Sequence, residues 1–141
     1  MKIYVASSWN NIYYPHVITT LREKGYEVYD FRKDGFSWDQ IDSNWKKWKY
    51  DELKYLEALE HSEAVAGFDR DMKALRECDV CVYVMPCGVS ASLEAGWARG
   101  AGKFVIIYVP ELRDIDLMVK MAHLVTADIH EVIEQIHEWE G

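Results

Sequence analysis

Along this chain the apolar residues switch between a two-residue and a three-to-four-residue period, and the switches mark its elements. Lys2 to Ala6 is a short β-rich run. The polar stretch Ser7, Ser8, Trp9, Asn10 and Asn11 follows, then Val17, Ile18 and Leu21 at helical spacing up to Gly25. Tyr26 to Phe31 reads as a second strand, so the opening is a β-α-β unit with a parallel pair. Asp34 to Asn44 is turn-rich, and Trp38, Ile41, Trp45 and Trp48 recur at the spacing of one helix face. Further helical turns are expected over Asp51 to Glu60 and Ser62 to Glu77.

Asp79 to Met85 is nearly all apolar, as a strand covered on both faces must be, and should be the centre of the sheet. Pro86, Cys87 and Gly88 break it. Ser90 to Ala101 resumes as a helix whose small residues (Ala91, Ala95, Gly96, Ala98, Gly100) permit close approach to the sheet. Phe104 to Val109 is a fourth strand, Asp116 to Ala122 a short helix, Leu124 to Thr126 a brief fifth strand and Asp128 to Trp139 a closing amphipathic helix. This alternation predicts one domain over residues 1–141, with a doubly wound, flavodoxin/Rossmann-like α/β parallel sheet of about five strands and helices on both faces. Ligands of such sheets lie beyond the C-terminal strand ends, here Ala6 to Asn11 and Pro86 to Glu94.

Composition narrows the partners. Sixteen Lys plus Arg against twenty-four Asp plus Glu give a net charge of −8, which repels polyphosphate backbones and anionic bilayers. Nucleic-acid polymers and membranes are therefore not expected as partners. No apolar stretch approaches the ~18 residues of a membrane span, and MKIYVASS reads as a strand rather than a leader, so a cytoplasmic protein is expected. Six Trp and nine Tyr are many for 141 residues, and flat side chains suit flat ligands. Three cysteines, Cys78, Cys81 and Cys87, cluster around one apolar segment, as buried reduced thiols do.

Chemistry-bearing motifs are few. The loop after the first strand has neither G-x-G-x-x-G nor G-x-x-x-x-G-K-[ST], so the fold by itself does not imply NAD or ATP. Cys78 and Cys81 have C-x-x-C spacing without a second pair, and the five histidines are scattered, so no metal is expected. The informative run is Pro86 to Lys103, PCGVSASLEAGWARGAGK. Serines commonly cap helices, and an early glutamate complements the macrodipole. A capping box, however, needs the acid three residues after the cap, and Glu94 is four after Ser90 and two after Ser92. Its carboxylate is then free to face the ligand edge, ionised by the helix dipole, as a nucleophile. In FDRDMKALRECD, Asp69 and Asp71 read as exposed helix charges or as acids turned to that edge.

With these residues in view the chain resembles the nucleoside 2-deoxyribosyltransferase family, including its 2′-deoxynucleoside 5′-phosphate N-hydrolase relatives. The resemblance runs over most of the chain. Three stretches carry it: IYVASSW from Ile3 to Trp9, the segment around Asp71, and S-x-S-L-E-A-G-W-A ending at Ala98. It implies that Glu94 is the nucleophile, that Tyr4 hydrogen-bonds it, and that Asp71 orients or protonates the base. It also places Ala6, Ser7, Ser8 and Trp9 near the substrate. The Trp-rich insertion Phe36 to Trp48 departs from the transferases; within it Trp38 is expected to cover the base, and Asp69 is expected near the substrate beside Asp71. A weaker match sets Asp116, Leu117 and Met118 where transferases have Asn-Leu-Met, contributed to a neighbouring subunit's pocket near the sugar 5′-hydroxyl. A carboxylate there repels a phosphate by about 1 to 4 kcal/mol, whereas Ser90 and Ser92 are potential phosphate donors. Gly88 stands where transferases have an aspartate near the base and sugar.

The resemblance thus implies cleavage or exchange of the N-glycosidic bond of a deoxyribonucleoside through a covalent glutamate intermediate. No metal or organic cofactor is required, and a homodimer or higher homo-oligomer is implied, with sites at subunit contacts. Alternatives are a 2′-deoxynucleoside 5′-monophosphate N-glycosidase, a noncatalytic nucleotide-binding module and a flavodoxin-like protein–protein module.

Overall fold

The computed structural model describes all 141 residues. In chain order the regular elements are β1 (Lys2–Ala6), α1 (Tyr14–Glu23), β2 (Glu27–Tyr29), the single turn α2 (Phe31–Asp34), α3 (Glu52–Leu59) and α4 (Ser62–Glu77). They continue with β3 (Val80–Val84), α5 (Val89–Gly100), β4 (Phe104–Tyr108), β5 (Leu124–Thr126) and α6 (Ile129–Glu140). Packing divides the chain into two compact units: Met1–Tyr29 with Leu75–Gly141, and Asp30–Ala74.

The first unit holds a five-stranded, all-parallel sheet in the order β2-β1-β3-β4-β5, the doubly wound α/β topology expected from the sequence. β3 is central, and every one of its residues is buried, as its unbroken apolar run requires. Val17, Ile18 and Leu21 of α1 and Val132 and Ile136 of α6 are buried at helical spacing. In α5 the buried residues are Ala91, Ala95 and Ala98, whose small side chains bring the helix close to the sheet. Positive-φ glycines, Gly25 (89°) and Gly102 (83°), follow α1 and α5 and terminate them. Cys78 and Cys81 are buried thiols, and burial pushes Cys78 up to about 11 and Cys81 higher still. No helix is long and apolar enough to cross a membrane.

The chain turns away from the strand expected over Tyr26 to Phe31 as soon as Tyr29 is passed. Asp30 accepts a hydrogen bond from the Arg32 amide (3.0 Å) and caps α2, so β2 stops at three residues.

The second unit departs further from expectation. Instead of one helix through the tryptophans there are two 3₁₀ segments, Trp38–Gln40 and Trp45–Tyr50. Side chains compete with the backbone here. Asp42 accepts from the Asn44 amide (2.9 Å), Ser37 from the Asp39 amide (3.4 Å), and the indole N–H groups of Trp45 and Trp48 donate to Asp39 (3.1 Å) and Asp42 (3.3 Å). Trp38 meets Phe36, Trp48 and Tyr55 edge-on at 5.0, 5.7 and 6.2 Å between ring centroids. The expected helix over Asp116 to Ala122 is likewise only a 3₁₀ turn, Met118–Met121.

Within the second unit, α4 approaches Phe36 so closely that a β-carbon on Gly67 would collide with that side chain, reaching 2.7 Å from Cγ. Gly67→Ala should therefore destabilise the protein by about 1–3 kcal/mol, although alanine is the better helix former. Urea denaturation with matched m-values reads the loss.

Candidate active site

Sheet order reverses about β1 and β3, since the chain passes from β1 outward to β2 and then returns to place β3 on the other side of β1. The carboxyl ends of this strand pair form the crevice in which doubly wound sheets bind ligands. From the middle of β1, Tyr4 meets Glu94 of α5, the helix that follows β3. Tyr4 lies in β1 opposite Tyr29 and Cys81, is 1% exposed, and stacks on Tyr29 with 5.5 Å between ring centroids. Its hydroxyl donates to the carboxylate of Glu94.

Glu94 is the sixth residue of α5 and is half-buried. Burial pushes its carboxyl up to about 7, because ionisation removes solvation that the site replaces only in part. The expectation that the helix dipole holds this acid ionised is thereby corrected. The dipole acts within the first turn, and Glu94 lies beyond it. A carboxyl poised near neutrality, with a fixed hydroxyl donor, is equipped to alternate between proton carrier and nucleophile.

Gly88 precedes α5 with an extended backbone (φ −105°, ψ −154°) and supplies no side-chain cap. Neither serine caps the helix. Ser92 donates instead to the Gly88 carbonyl one turn back (3.0 Å) and pairs with the Tyr83 hydroxyl (2.9 Å), while Ser90 is exposed.

The loop after β1 is tied to the end of β3. Ala6 is buried opposite Tyr83. Ser7 donates to the Val84 carbonyl (3.0 Å), and Asn11 donates to both Val84 (3.1 Å) and Pro86 (3.1 Å). The Asn11 side-chain oxygen Oδ1 accepts from the Tyr13 amide (2.7 Å). Trp9 is 46% exposed above this frame, next to the half-buried Ser8. Asn11 was not singled out in the sequence, although an asparagine five residues past a strand end is a ready loop fastener.

Asp116 and Met118 line a cavity of about 370 Å³ on the other flank of α5, together with Ser92 and Tyr83. Tyr83 also escaped the sequence reading; its hydroxyl is the one polar tip in the β3 run. Burial, and then a hydrogen bond with Cys87, push that hydroxyl up to about 12. In the second unit Trp38 joins the ring cluster, Asp69 is exposed, and Asp71 is half-buried with its carboxylate beside Gly35.

No protein-family model matches the chain, and no curated protein matches it. Solved structures do. A 2-deoxyribosyltransferase from the psychrotolerant bacterium Bacillus psychrosaccharolyticus is similar at 21% identity and a TM-score of 0.66, over 94% of this chain and 90% of that one. The CMP N-glycosidase BcmB of Clostridium botulinum is similar at 17% identity and a TM-score of 0.54, over 97% of this chain and 99% of that one. The fold is therefore the one that the sequence resemblance implied, along nearly the full length of all three proteins.

The raised Glu94 carboxyl has a sign that can be measured. Burial brings it up to about 7 in the folded protein from the ordinary 4.5, so the folded state binds more protons between those values and loses stability as pH rises through the window. Glu94→Gln keeps an acceptor for Tyr4 but cannot ionise. Relative to the wild type it should gain about 1–3 kcal/mol between pH 4.5 and 8, read by urea denaturation across pH. A difference independent of pH would show an unshifted carboxyl.

Proposed function

We propose that this protein breaks N-glycosidic bonds of nucleosides or nucleotides, with Glu94 as nucleophile. The observation that carries the reading is the Tyr4–Glu94 pair, in which the middle of β1 presents a hydroxyl to a carboxylate of α5. The two similar structures support it, being a 2-deoxyribosyltransferase and a CMP N-glycosidase.

Ionised Glu94 attacks the anomeric carbon, the bond to the base nitrogen breaks, and a covalent glycosyl-enzyme remains, as in retaining glycosidases. Tyr4 holds the carboxylate in line and stabilises its charge. Asp71 orients the departing base or delivers its proton, and Trp9 and Trp38 stack on its ring. A second base resolves the intermediate in a transferase, water in a hydrolase. No metal or organic cofactor enters these steps. The acid that transferases place at Gly88 is absent here, which favours hydrolysis over base exchange.

Asp116 favours an uncharged nucleoside over its 5′-phosphate, acting in the pocket of a second copy of the chain. Two apolar surfaces support such an assembly. Val89, Leu93 and Trp97 form an exposed stripe along α5, and Ile115, Leu117 and Met118 are exposed after β4. The second reading, a nucleoside 5′-monophosphate N-glycosidase, is favoured by Ser90, an exposed hydroxyl in the first turn of α5.

Incubation with each nucleoside and 5′-monophosphate, in ribo and deoxy forms, with and without an acceptor base, should release or exchange base. Chromatography follows both. Glu94→Ala should lower turnover at least about 1,000-fold, and full activity in that variant would remove Glu94 as nucleophile. Tight binding without turnover by the wild type would leave a binding module. Tyr4→Phe should cost on the order of 100-fold in kcat, and wild-type activity should rise with pH through about 7 as Glu94 ionises.

A further inference from the structure

The Tyr4 hydroxyl serves Glu94 only if its proton points at the carboxylate, and the strand by itself does not ensure that. The side chain leaves β1 in a fixed direction, but a tyrosine ring turns about its Cβ–Cγ bond in a broad, two-fold well. Such a turn leaves the hydroxyl oxygen where it was, because that oxygen lies on the axis of the bond. The ring plane does turn. Conjugation keeps a phenolic O–H in the plane of its ring, so the plane decides where the proton goes. A hydrogen bond prefers an angle at the proton above about 150° and weakens steeply below about 120°.

The neighbours of Tyr4 across the sheet differ in what they offer its ring. Strands β2, β1 and β3 run parallel, and Tyr29, Tyr4 and Cys81 are register partners, which puts the three side chains on one face. Cys81 is small and has no flat surface. Tyr29, half-buried in the last position of β2, has a ring that stacks on that of Tyr4 at 5.5 Å between centroids and 17° between planes. That separation is within the range of about 4.5–7 Å favoured by offset rings. Glu94 forms no ion pair, and Tyr4 is the one side chain that hydrogen-bonds it. The charge of the carboxylate is thus answered by a single side-chain proton.

We propose that Tyr29 is a positioning residue, whose ring fixes the plane of the Tyr4 ring and so aims the Tyr4 proton at Glu94. Its consequence for turnover rests on the N-glycosidic reading above; the aim itself does not.

A double-mutant cycle separates this role from ordinary packing. Tyr29→Ile keeps a strand-forming side chain and removes the ring, whereas Tyr29→Phe keeps the ring and removes the hydroxyl. Urea denaturation checks that each variant is folded, and Tyr29→Leu replaces Tyr29→Ile if that one is not. Tyr29→Ile should lower kcat for base release about tenfold with KM within about twofold of wild type, and Tyr29→Phe should stay within about threefold in both. In a Tyr4→Phe background no proton remains to be aimed, and Tyr29→Ile should then change kcat by less than about twofold. The second readout needs no turnover. The Glu94 carboxyl is followed by carbon NMR across pH in protein with labelled glutamate side chains, its signal identified by its loss in Glu94→Gln. An aimed donor favours the ionised form, so Tyr29→Ile should move the midpoint up by about half a pH unit or more, and Tyr29→Phe should leave it in place. Equal losses of kcat in both backgrounds, or an unmoved midpoint in Tyr29→Ile, would overturn the inference. So would a Tyr29→Phe variant that behaves like Tyr29→Ile. A wild type that releases no base removes the N-glycosidic reading, and the midpoints still decide the role of Tyr29.

Discussion

A buried tyrosine hydroxyl facing a half-buried carboxylate is the interaction around which this molecule is arranged. Tyr4 is in the middle of a strand with no freedom to follow its partner, so Glu94 must be delivered to it by α5. That delivery depends on alanines at 91, 95 and 98, which let the helix settle close to the sheet. It depends equally on the frame set by Ser7 and Asn11, which fastens the loop after β1 to the end of β3. Larger side chains on α5 would carry the carboxylate away, and a free loop would admit water to it.

The site holds its acid in a costly state. Burial opposes ionisation, while a hydroxyl donor favours it, and the balance leaves the carboxyl near neutrality. A surface glutamate would ionise more readily. Stability is given up at this one residue, as is usual where a group is held against its solvation preference.

Much of this was legible in the sequence. The apolar run of β3, the small-residue face of α5 and the alternation of strands and helices gave the sheet, because burial on both faces leaves little choice of residue. The spacing of Glu94 from Ser90 and Ser92, which does not fit a capping box, marked it as a candidate, and the family resemblance, not the spacing, paired it with Tyr4. What escaped the reading was governed by competition between side chains and backbone. Asp30 ended β2 early, and Asp39 and Asp42 turned a helical tryptophan pattern into two 3₁₀ segments. The state of Glu94 was also beyond reach, since desolvation depends on what packs around an acid more than on its place along a helix. Tyr83 and Asn11 were hidden for a related reason: each looks like an ordinary member of its strand or loop until the partners of its side chain are known.

The two outermost strands carry one more consequence. β2 and β5 are three residues each, so either edge of the sheet presents only about 10 Å of backbone to a newcomer. Edges this short are poor templates for adding a foreign strand. Copies of the chain are thus discouraged from joining into a continuous ribbon, and whatever assembles with this protein must recognise it by side chains and shape.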